Sequence, residues 1–310
     1  MARKPRIHFP GAFYHVMLHG NGGQQIFFSP EDQTRLYLLL QEGVGKYGHS
    51  IHAFCLMKNH IHLLIQVADT PLAKIIQNIS FRFTRHINST QERTGHLFQG
   101  RYKAILVDAD NYLLQLVRYI HNNPVRVELA EQCGEFQWSS HNAYCGNEFI
   151  PWLTTDLVLS QFADNLQTAR KNYLDFVRLI EPEEQLSEFL HGTHEGRLLG
   201  DDFFAEEALS KTEEHFQKQI SIEQIVDAVC SEYGVKPTTL AAPGKHRENA
   251  EIRALAALLV INEDNLTLTN LAKLFHRELS GLSQGARRVQ TRLNTDKELS
   301  ARLDRIKDRL

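Results

Sequence analysis

Residues 51–67 read Ile51-His52-Ala53-Phe54-Cys55-Leu56, then Met57-Lys58-Asn59, then His60-Ile61-His62-Leu63-Leu64-Ile65-Gln66-Val67. Two apolar β-type runs, Ile51 to Leu56 and Ile61 to Val67, flank a connection that has room only for a tight turn, so they predict an antiparallel hairpin. Upstream, Phe13-Tyr14-His15-Val16-Met17-Leu18 is another strand candidate, ending in the turn-forming His19-Gly20-Asn21-Gly22-Gly23. Between them Ser29-Pro30-Glu31-Asp32 supplies an N-cap, a first-position proline and early acids, and Leu36, Leu39 and Leu40 continue at helical spacing to about Tyr47. Downstream, Ile75, Ile76, Ile79, Phe83 and Ile87 mark an amphipathic helix from Pro71 to about Asn88, and Gly100 to Val107 suits a fourth strand. Asp108-Ala109-Asp110 then caps a helix from Asn111 to Asn122, which Pro124 is expected to stop at or just before Asn123. The order β-α-ββ-α-β-α predicts an α+β fold, an antiparallel sheet covered by helices rather than a doubly wound parallel one.

At 310 residues, 42% hydrophobic and 23% charged, the chain has the composition of a globular protein with room for two or more cores. Collagen-like, disordered and membrane classes are excluded on composition. No stretch approaches the roughly 18 uninterrupted apolar residues of a membrane span, and Met1-Ala2-Arg3-Lys4-Pro5 opens no apolar signal core, so the cytoplasm is the expected location. Cys55, Cys133, Cys145 and Cys230 lie far apart with no C-x-x-C pair and read as reduced thiols.

Charge divides the chain more sharply than the net value of -3 suggests. Residues 1–150 hold 14 Lys and Arg against 11 Asp and Glu, residues 151–220 hold 6 against 14, and residues 221–310 hold 14 against 12. Two mildly basic blocks therefore flank an acidic spacer, which is broken by Pro151, Pro182, Gly192, Gly196 and Gly200 and is expected to be a partly helical connector. The last block reads as all-helical: Ile222 to Tyr233, Asn249 to Asn262, Thr269 to Phe275 and a final helix from about Gly281.

Three constellations carry chemistry. Alternation along a strand points His60 and His62 to one face and Ile61 to the other, forming a chelating pair for a divalent ion. The same pattern also fits polar residues on an exposed strand face. Tyr119 and Asn123, spaced i and i+4, share a helix face, so that an amide oxygen can join two imidazoles on a hard cation while the phenol stands beside it as a nucleophile. A core tyrosine followed by a C-terminal Asn cap gives the same spacing. Tyr102 and Tyr112 compete for the nucleophile role, but only Tyr119 has an amide at i+4. Finally Arg82, Arg85, His86, Arg101, Tyr102, Lys103, Arg118 and Arg126 can line a single-strand track, with cations on phosphates and aromatics on bases, or can simply form a solvated face.

The succession Pro10-Gly11, Tyr14-His15-Val16, Met57-Lys58-Asn59-His60-Ile61-His62-Leu63-Leu64, Gly95-His96-Leu97-Phe98-Gln99-Gly100-Arg101-Tyr102, Arg118-Tyr119-Ile120-His121-Asn122-Asn123-Pro124-Val125-Arg126 and Trp138-Ser139-Ser140 resembles the HUH single-tyrosine transposases. Within them it is most similar to the branch associated with repetitive extragenic palindromes. The resemblance covers about the first 145 residues. It implies a ferredoxin-like sheet, a homodimer or monomer, and His60, His62 and Asn123 as ligands of Mg²⁺ or Mn²⁺. It also implies Tyr119 as the nucleophile that cuts single-stranded DNA beside a hairpin, leaving a 5′-phosphotyrosine and a free 3′-hydroxyl. Two departures stand out: His19 sits where arginine is expected in an R-G-N turn, and Val127-Glu128-Leu129 replaces a small, glycine-containing run.

In the tail, the stretch from His246 to Arg253, then Leu266 to Phe275, then Leu279 to Arg288 is similar to the DNA-binding domain of the replication initiator DnaA, without that domain's acidic-histidine-threonine signature. The resemblance implies a helix-turn-helix on duplex DNA, with Ser280, Ser283, Gln284, Arg287 and Arg288 near the groove. The expected organisation is thus a catalytic domain over 1–150, a connector over 151–220 and a DNA-binding domain over 221–310. Two other readings remain: a catalytically inactive DNA-binding regulator that relies on the tail, and a zinc hydrolase, for which no third His, Asp or Glu ligand is evident.

Overall fold

The computed structural model describes residues 7–179, 183–218, 220–242, 247–263 and 266–310. Met1 to Pro5, Pro182 and His246, all used in the sequence reading, lie outside the described residues. The chain divides into two compact units, Met1–His215 and Phe216–Leu310.

The first unit opens with β1 (Phe13–His19), α1 (Pro30–Tyr47), β2 (Ser50–Met57), β3 (His60–Gln66), α2 (Leu72–Thr90), β4 (Lys103–Val107) and α3 (Ala109–His121). Local chemistry sets these boundaries. Asp32 Oδ2 accepts from the Ser29 backbone N–H at 3.1 Å beside Pro30, and Gly48 ends α1 at φ +66°, a left-handed conformation that glycine adopts without penalty. Asp108 caps α3 by accepting from the Asp110 backbone N–H at 3.2 Å. The hairpin β2–β3 turns at Lys58-Asn59, and β3 pairs antiparallel with β1, which pairs antiparallel with β4. The resulting order β2-β3-β1-β4 is the ferredoxin-like arrangement expected from the sequence.

Three features differ from the sequence reading. α3 ends before Asn123 as expected, but the chain then starts a new helix: Pro124 sits in the first turn of α4 (Asn123–Arg126), where its missing N–H has no partner to lose. The acidic stretch is no free connector up to His215. It contributes α6 (Asp156–Leu159), α7 (Leu166–Val177), α8 (Glu183–His191), α9 (Asp202–Lys218) and a two-residue strand β5 (Leu198–Leu199) parallel to β4, all following α5 (His141–Cys145). Trp152 stacks on Phe54 at 5.5 Å, and Val158, Leu159, Tyr173, Val177, Phe189 and Leu199 are buried. Net charge counted along a chain averages over both sides of each helix, and here the acids occupy the outer sides while Ala169, Tyr173 and Val177 recur every four residues on the inner one. The third difference lies in the tail, where one expected last helix is two.

The sheet separates two apolar layers. Val16, Leu18, Ile61, Leu63 and Ile65 pack with α1 and the Ile75, Ile76, Ile79, Phe83 stripe of α2. The opposite face carries Met17, Leu64, Ile105 and Val107 against Leu113, Leu116 and Ile120 of α3, with Tyr173 and Phe189 beyond.

The second unit is all-helical: α10 (Ile222–Tyr233), α11 (Thr238–Ala241), α12 (Arg247–Asn262), α13 (Leu268–Phe275), α14 (Leu279–Arg292) and α15 (Lys297–Lys307). Ile252 to Val260 of α12 are buried without interruption, so this helix is the centre of the unit rather than an amphipathic cover. Leu282, Gly285, Ala286 and Val289 of α14 are buried, and a Cβ on Gly285 would meet the Ala254 Cβ at 3.1 Å, so glycine allows α14 its close approach to α12. Ser280, Gln284, Arg287 and Arg288 remain exposed and Ser283 is half-buried. Among the described residues, no helix is long and apolar enough to cross a membrane, and the four cysteines are free.

Away from the sheet's histidine pair, burial pushes His49 and His141 down to about 4, and His121 well below the ordinary imidazole range. Their folded values lie below the unfolded one, so the native state binds fewer protons and loses stability as pH falls from about 6.5 towards 4. His49 and His141 alone remove roughly 2 kcal/mol each by pH 5, and His121 acts in the same direction. Against a total of about 5–15 kcal/mol, the first unit is expected to lose a large share of its stability by pH 5 and to unfold at a pH below that. Both tryptophans, Trp138 and Trp152, belong to that unit, so their fluorescence in an acid titration reads it alone.

Candidate active site

The β1–β3 register sets His19 opposite His60 and Met17 opposite His62. Alternation then brings His15 and His19 of β1 and His60 and His62 of β3 to the face covered by α3, while Ile61 joins the other layer. The rings touch in series. His19 and His60 stack at 5.3 Å, His60 and His62 meet at 5.0 Å edge to face, and His62 and His15 lie nearly parallel at 5.1 Å. Exposure grades along the row: His15 is fully buried, His62 is 2% exposed, His60 is half-buried and His19 is open to solvent.

Tyr119 comes onto this row from α3, its ring centroid 5.7 Å from both His15 and His62. Its competitors go elsewhere. Tyr112 faces Glu188, Asp108 and Asp201, whose charges join burial in raising its phenol, and Tyr102 packs with the layer under α1 and α2. Pro124 restarts the helix so that Asn123 keeps the side of α3 that carries Tyr119, and the Asn123 carboxamide hydrogen-bonds His60. The same restart turns Arg126 back over the Tyr119 ring at 4.1 Å, where its guanidinium also donates to the Tyr119 carbonyl at 2.6 Å.

The electrostatics keep the imidazoles neutral. Burial pushes His15 down to about 3 and His60 to about 4, and holds His62 well below the ordinary range; the charges of Lys103 and Arg126 act in the same direction on His15. A neutral imidazole keeps one lone pair, which a metal ligand needs. On His60 the Nδ1 side is taken by Asn59 Oδ1 at 2.8 Å, so Nε2 is the nitrogen turned to the Asn123 carboxamide, and on His62 the Nδ1 side is taken by His15 at 2.8 Å, which leaves Nε2 for a ligand. The donor set therefore fits a divalent ion at His60, His62 and the Asn123 oxygen. Among the described residues no three His, Cys, Asp or Glu side chains group to hold an ion by themselves. An ion there would fill its remaining positions with the amide, water and phosphate oxygens.

The basic residues separate into three places. Lys103 and Arg126 lie by the histidine row, the Lys103 ammonium donating to the Leu190 carbonyl. Arg101 is exposed and lines a groove of about 540 Å³ with Phe81, His96, Phe98 and Tyr102, and exposed Arg85 stands over the Phe81 ring at 5.9 Å. Arg82 pairs with Glu42 at 2.5 Å, His86 with Asp32 at 3.0 Å, and buried Arg118 lies 4.7 Å over Phe176, so these three are engaged within the unit.

Sequence reasoning missed Phe189. Its ring lies 5.0 Å from Tyr119 and its carbonyl is 3.0 Å from His15 Nδ1. The sequence signal for His15 was present as a period-two match to His19 within one strand; for Phe189, which is 70 residues beyond Tyr119, there was none.

Comparison with known proteins places these features in context. Residues 9–123 match the family described as "Transposase IS200 like". The chain is also similar, over the C-terminal region, to the chromosomal replication initiator protein DnaA of Campylobacter jejuni subsp. doylei and of Campylobacter jejuni subsp. jejuni serotype O:23/36. Each match is 23% identical over 117 residues, 36% of this chain and 27% of the initiator, so the chain spans about a quarter of the length of these relatives. A solved structure of a REP-associated tyrosine transposase bound to a REP hairpin aligns with 50% of this chain and 92% of that one, at 16% identity and a TM-score of 0.42.

Proposed function

We propose, from the match of residues 9–123 to the family described as "Transposase IS200 like", a metal-dependent enzyme that cuts and rejoins single-stranded or hairpin DNA through Tyr119. One observation carries this reading: the phenol ring stands 5.7 Å from His62 on the sheet face where His60 and Asn123 also meet. In the proposed reaction the Tyr119 oxygen attacks a backbone phosphorus and loses its proton, the P–O3′ bond breaks, and the 3′-oxygen takes up a proton. The products are a 5′-phosphotyrosine and a free 3′-hydroxyl. Attack of a 3′-hydroxyl on the phosphotyrosine restores Tyr119 and joins the strand, and because phosphoester is exchanged for phosphoester no ATP is required. The absence of a G-x-x-x-x-G-K-[ST] loop from the sequence agrees with this.

His60, His62 and Asn123 are the residues that would hold Mg²⁺ or Mn²⁺, which when bound supplies charge to polarise the scissile phosphate. Arg126 holds the Tyr119 backbone and ring, and Lys103 adds positive charge beside the histidines. The exposed His19 end of the row is the side from which a phosphate enters, and Arg85, Arg101, Phe81 and Tyr102 suit a strand approaching it. The deciding experiment is incubation with labelled single-stranded hairpins from the flanks of its own gene, scored for a covalent adduct. Duplex binding without any adduct would support the regulator reading instead.

The second unit is proposed as a duplex anchor, with α14 in the major groove and Arg287 and Arg288 on phosphates. In the full chain, Arg287→Ala with Arg288→Ala is expected to leave cleavage of a bare hairpin unchanged and to weaken binding to a hairpin with a duplex flank. The salt dependence of that binding should flatten by about two in log–log slope. Removing 221–310 should reproduce the loss, and identical responses to the flank before and after truncation would remove the anchor role.

A further inference from the structure

We propose that His15 is a positioning residue for His62, fixing through the Phe189 carbonyl which nitrogen of His62 is left to bind a ligand. The inference deepens the reading of His62 as a metal ligand and rests on it.

The geometry is a chain of three groups with one possible direction. His15 Nδ1 lies 3.0 Å from the Phe189 carbonyl oxygen, and His15 Nε2 lies 2.8 Å from His62 Nδ1. A carbonyl oxygen only accepts, so His15 Nδ1 must carry the proton and donate. In a neutral ring the other nitrogen is then a lone pair, so His15 Nε2 accepts, and His62 Nδ1 must in turn carry a proton to donate to it. His62 is left with its lone pair on Nε2. The reverse tautomers would set two lone pairs against each other at Phe189, where neither His15 nor His62 has water to relieve the repulsion, the two residues being 0% and 2% exposed. The two rings lie 19° from parallel with centroids 5.1 Å apart, the spacing of an edge-to-edge pair joined in plane by the hydrogen bond between them. His60 reaches the same outcome more simply, with Asn59 Oδ1 beside its Nδ1 at 2.8 Å. The two strand histidines thus arrive with matched tautomers by different routes, one local and one passing through β1 to α8.

Position 15 can be tested by substitutions that separate packing from hydrogen bonding. His15→Phe keeps a ring but offers His62 no acceptor; His15→Gln keeps an acceptor for His62 and a donor for Phe189. In the metal-free full chain, ¹⁵N–¹H correlation of the histidine side chains should show His62 protonated at Nδ1 in the wild type. That proton should move to Nε2 in a substantial fraction of His15→Phe and stay on Nδ1 in His15→Gln. Mn²⁺ affinity by calorimetry should fall about 10- to 100-fold in His15→Phe and recover to within a few-fold of wild type in His15→Gln. A wild-type His62 protonated at Nε2 overturns the proposal, as does a folded His15→Phe with unchanged tautomer and unchanged Mn²⁺ affinity. If His15→Phe fails to fold, the wild-type tautomer and the His15→Gln affinity decide. If the wild type binds no Mn²⁺, the ligand reading of His62 fails, and the tautomer measurement still judges the relay.

Discussion

Tyr119→Phe is expected to abolish covalent adduct formation on hairpin DNA, a loss of at least about 10⁴-fold, while leaving folding and DNA binding intact. The substitution removes one oxygen and keeps the ring. That ring makes the packing contacts: Phe189 at 5.0 Å, His15 and His62 at 5.7 Å and the Arg126 guanidinium at 4.1 Å all touch the aromatic body. The cation–π contact and the backbone hydrogen bond from Arg126 survive in phenylalanine. Stability should therefore change by no more than the roughly 1 kcal/mol of a lost hydroxyl hydrogen bond. Denaturing gels of the DNA–protein mixture report the covalent product, and gel shift on the same DNA reports binding. Adduct surviving in the phenylalanine variant would move the nucleophile elsewhere. Tyr112 and Tyr102 would then be the next to replace, although Tyr112 faces Glu188, Asp108 and Asp201 and Tyr102 packs with the layer under α1 and α2.

The legible part of this architecture was whatever depends on residues near in sequence. Strand parity set His60 and His62 on one face and Ile61 on the other, the β-α-ββ-α-β-α order implied an antiparallel sheet covered by helices, and the ferredoxin-like order that makes β1 and β3 neighbours came with the family resemblance. Helical spacing joined Tyr119 to Asn123, although the chain achieves it across a junction of two helices and not within one. The illegible part was long-range. Residues 151–220 read as a connector because their acids and glycines are conspicuous, whereas the apolar residues that bury much of this stretch recur at intervals too sparse to name a partner surface. Phe189 shows the limit: its role depends on a backbone carbonyl, which no side-chain pattern encodes. The basic residues show a second limit. Composition cannot tell Arg82 and Arg118, engaged with Glu42 and Phe176, from Arg101, which is exposed on a groove.

Replacing both His60 and His62 by alanine is expected to lower Mn²⁺ affinity by at least about 100-fold and to remove strand cleavage. Loss of groups that only orient a ligand costs about 10- to 100-fold, and loss of the ligands themselves should cost no less. The single variants separate this effect from a fold defect because the two histidines differ in burial. His60 is half-buried with its Nδ1 side on neighbouring Asn59, so His60→Ala should lose Mn²⁺ binding with little change in stability. His62 is 2% exposed and donates to buried His15, so His62→Ala opens a cavity and leaves the His15 lone pair without a donor. That orphaned acceptor alone is worth about 1–3 kcal/mol, visible as a lower thermal midpoint. Calorimetry with Mn²⁺ and a thermal melt on each variant therefore give two independent columns. Affinity should fall for both substitutions, and stability should fall for His62→Ala only. Unchanged Mn²⁺ affinity in the double variant would remove both histidines from the metal site and leave the row as packing around Tyr119. If affinity fell only in step with stability, His60→Ala would bind as the wild type does, and His60 at least would not be a ligand.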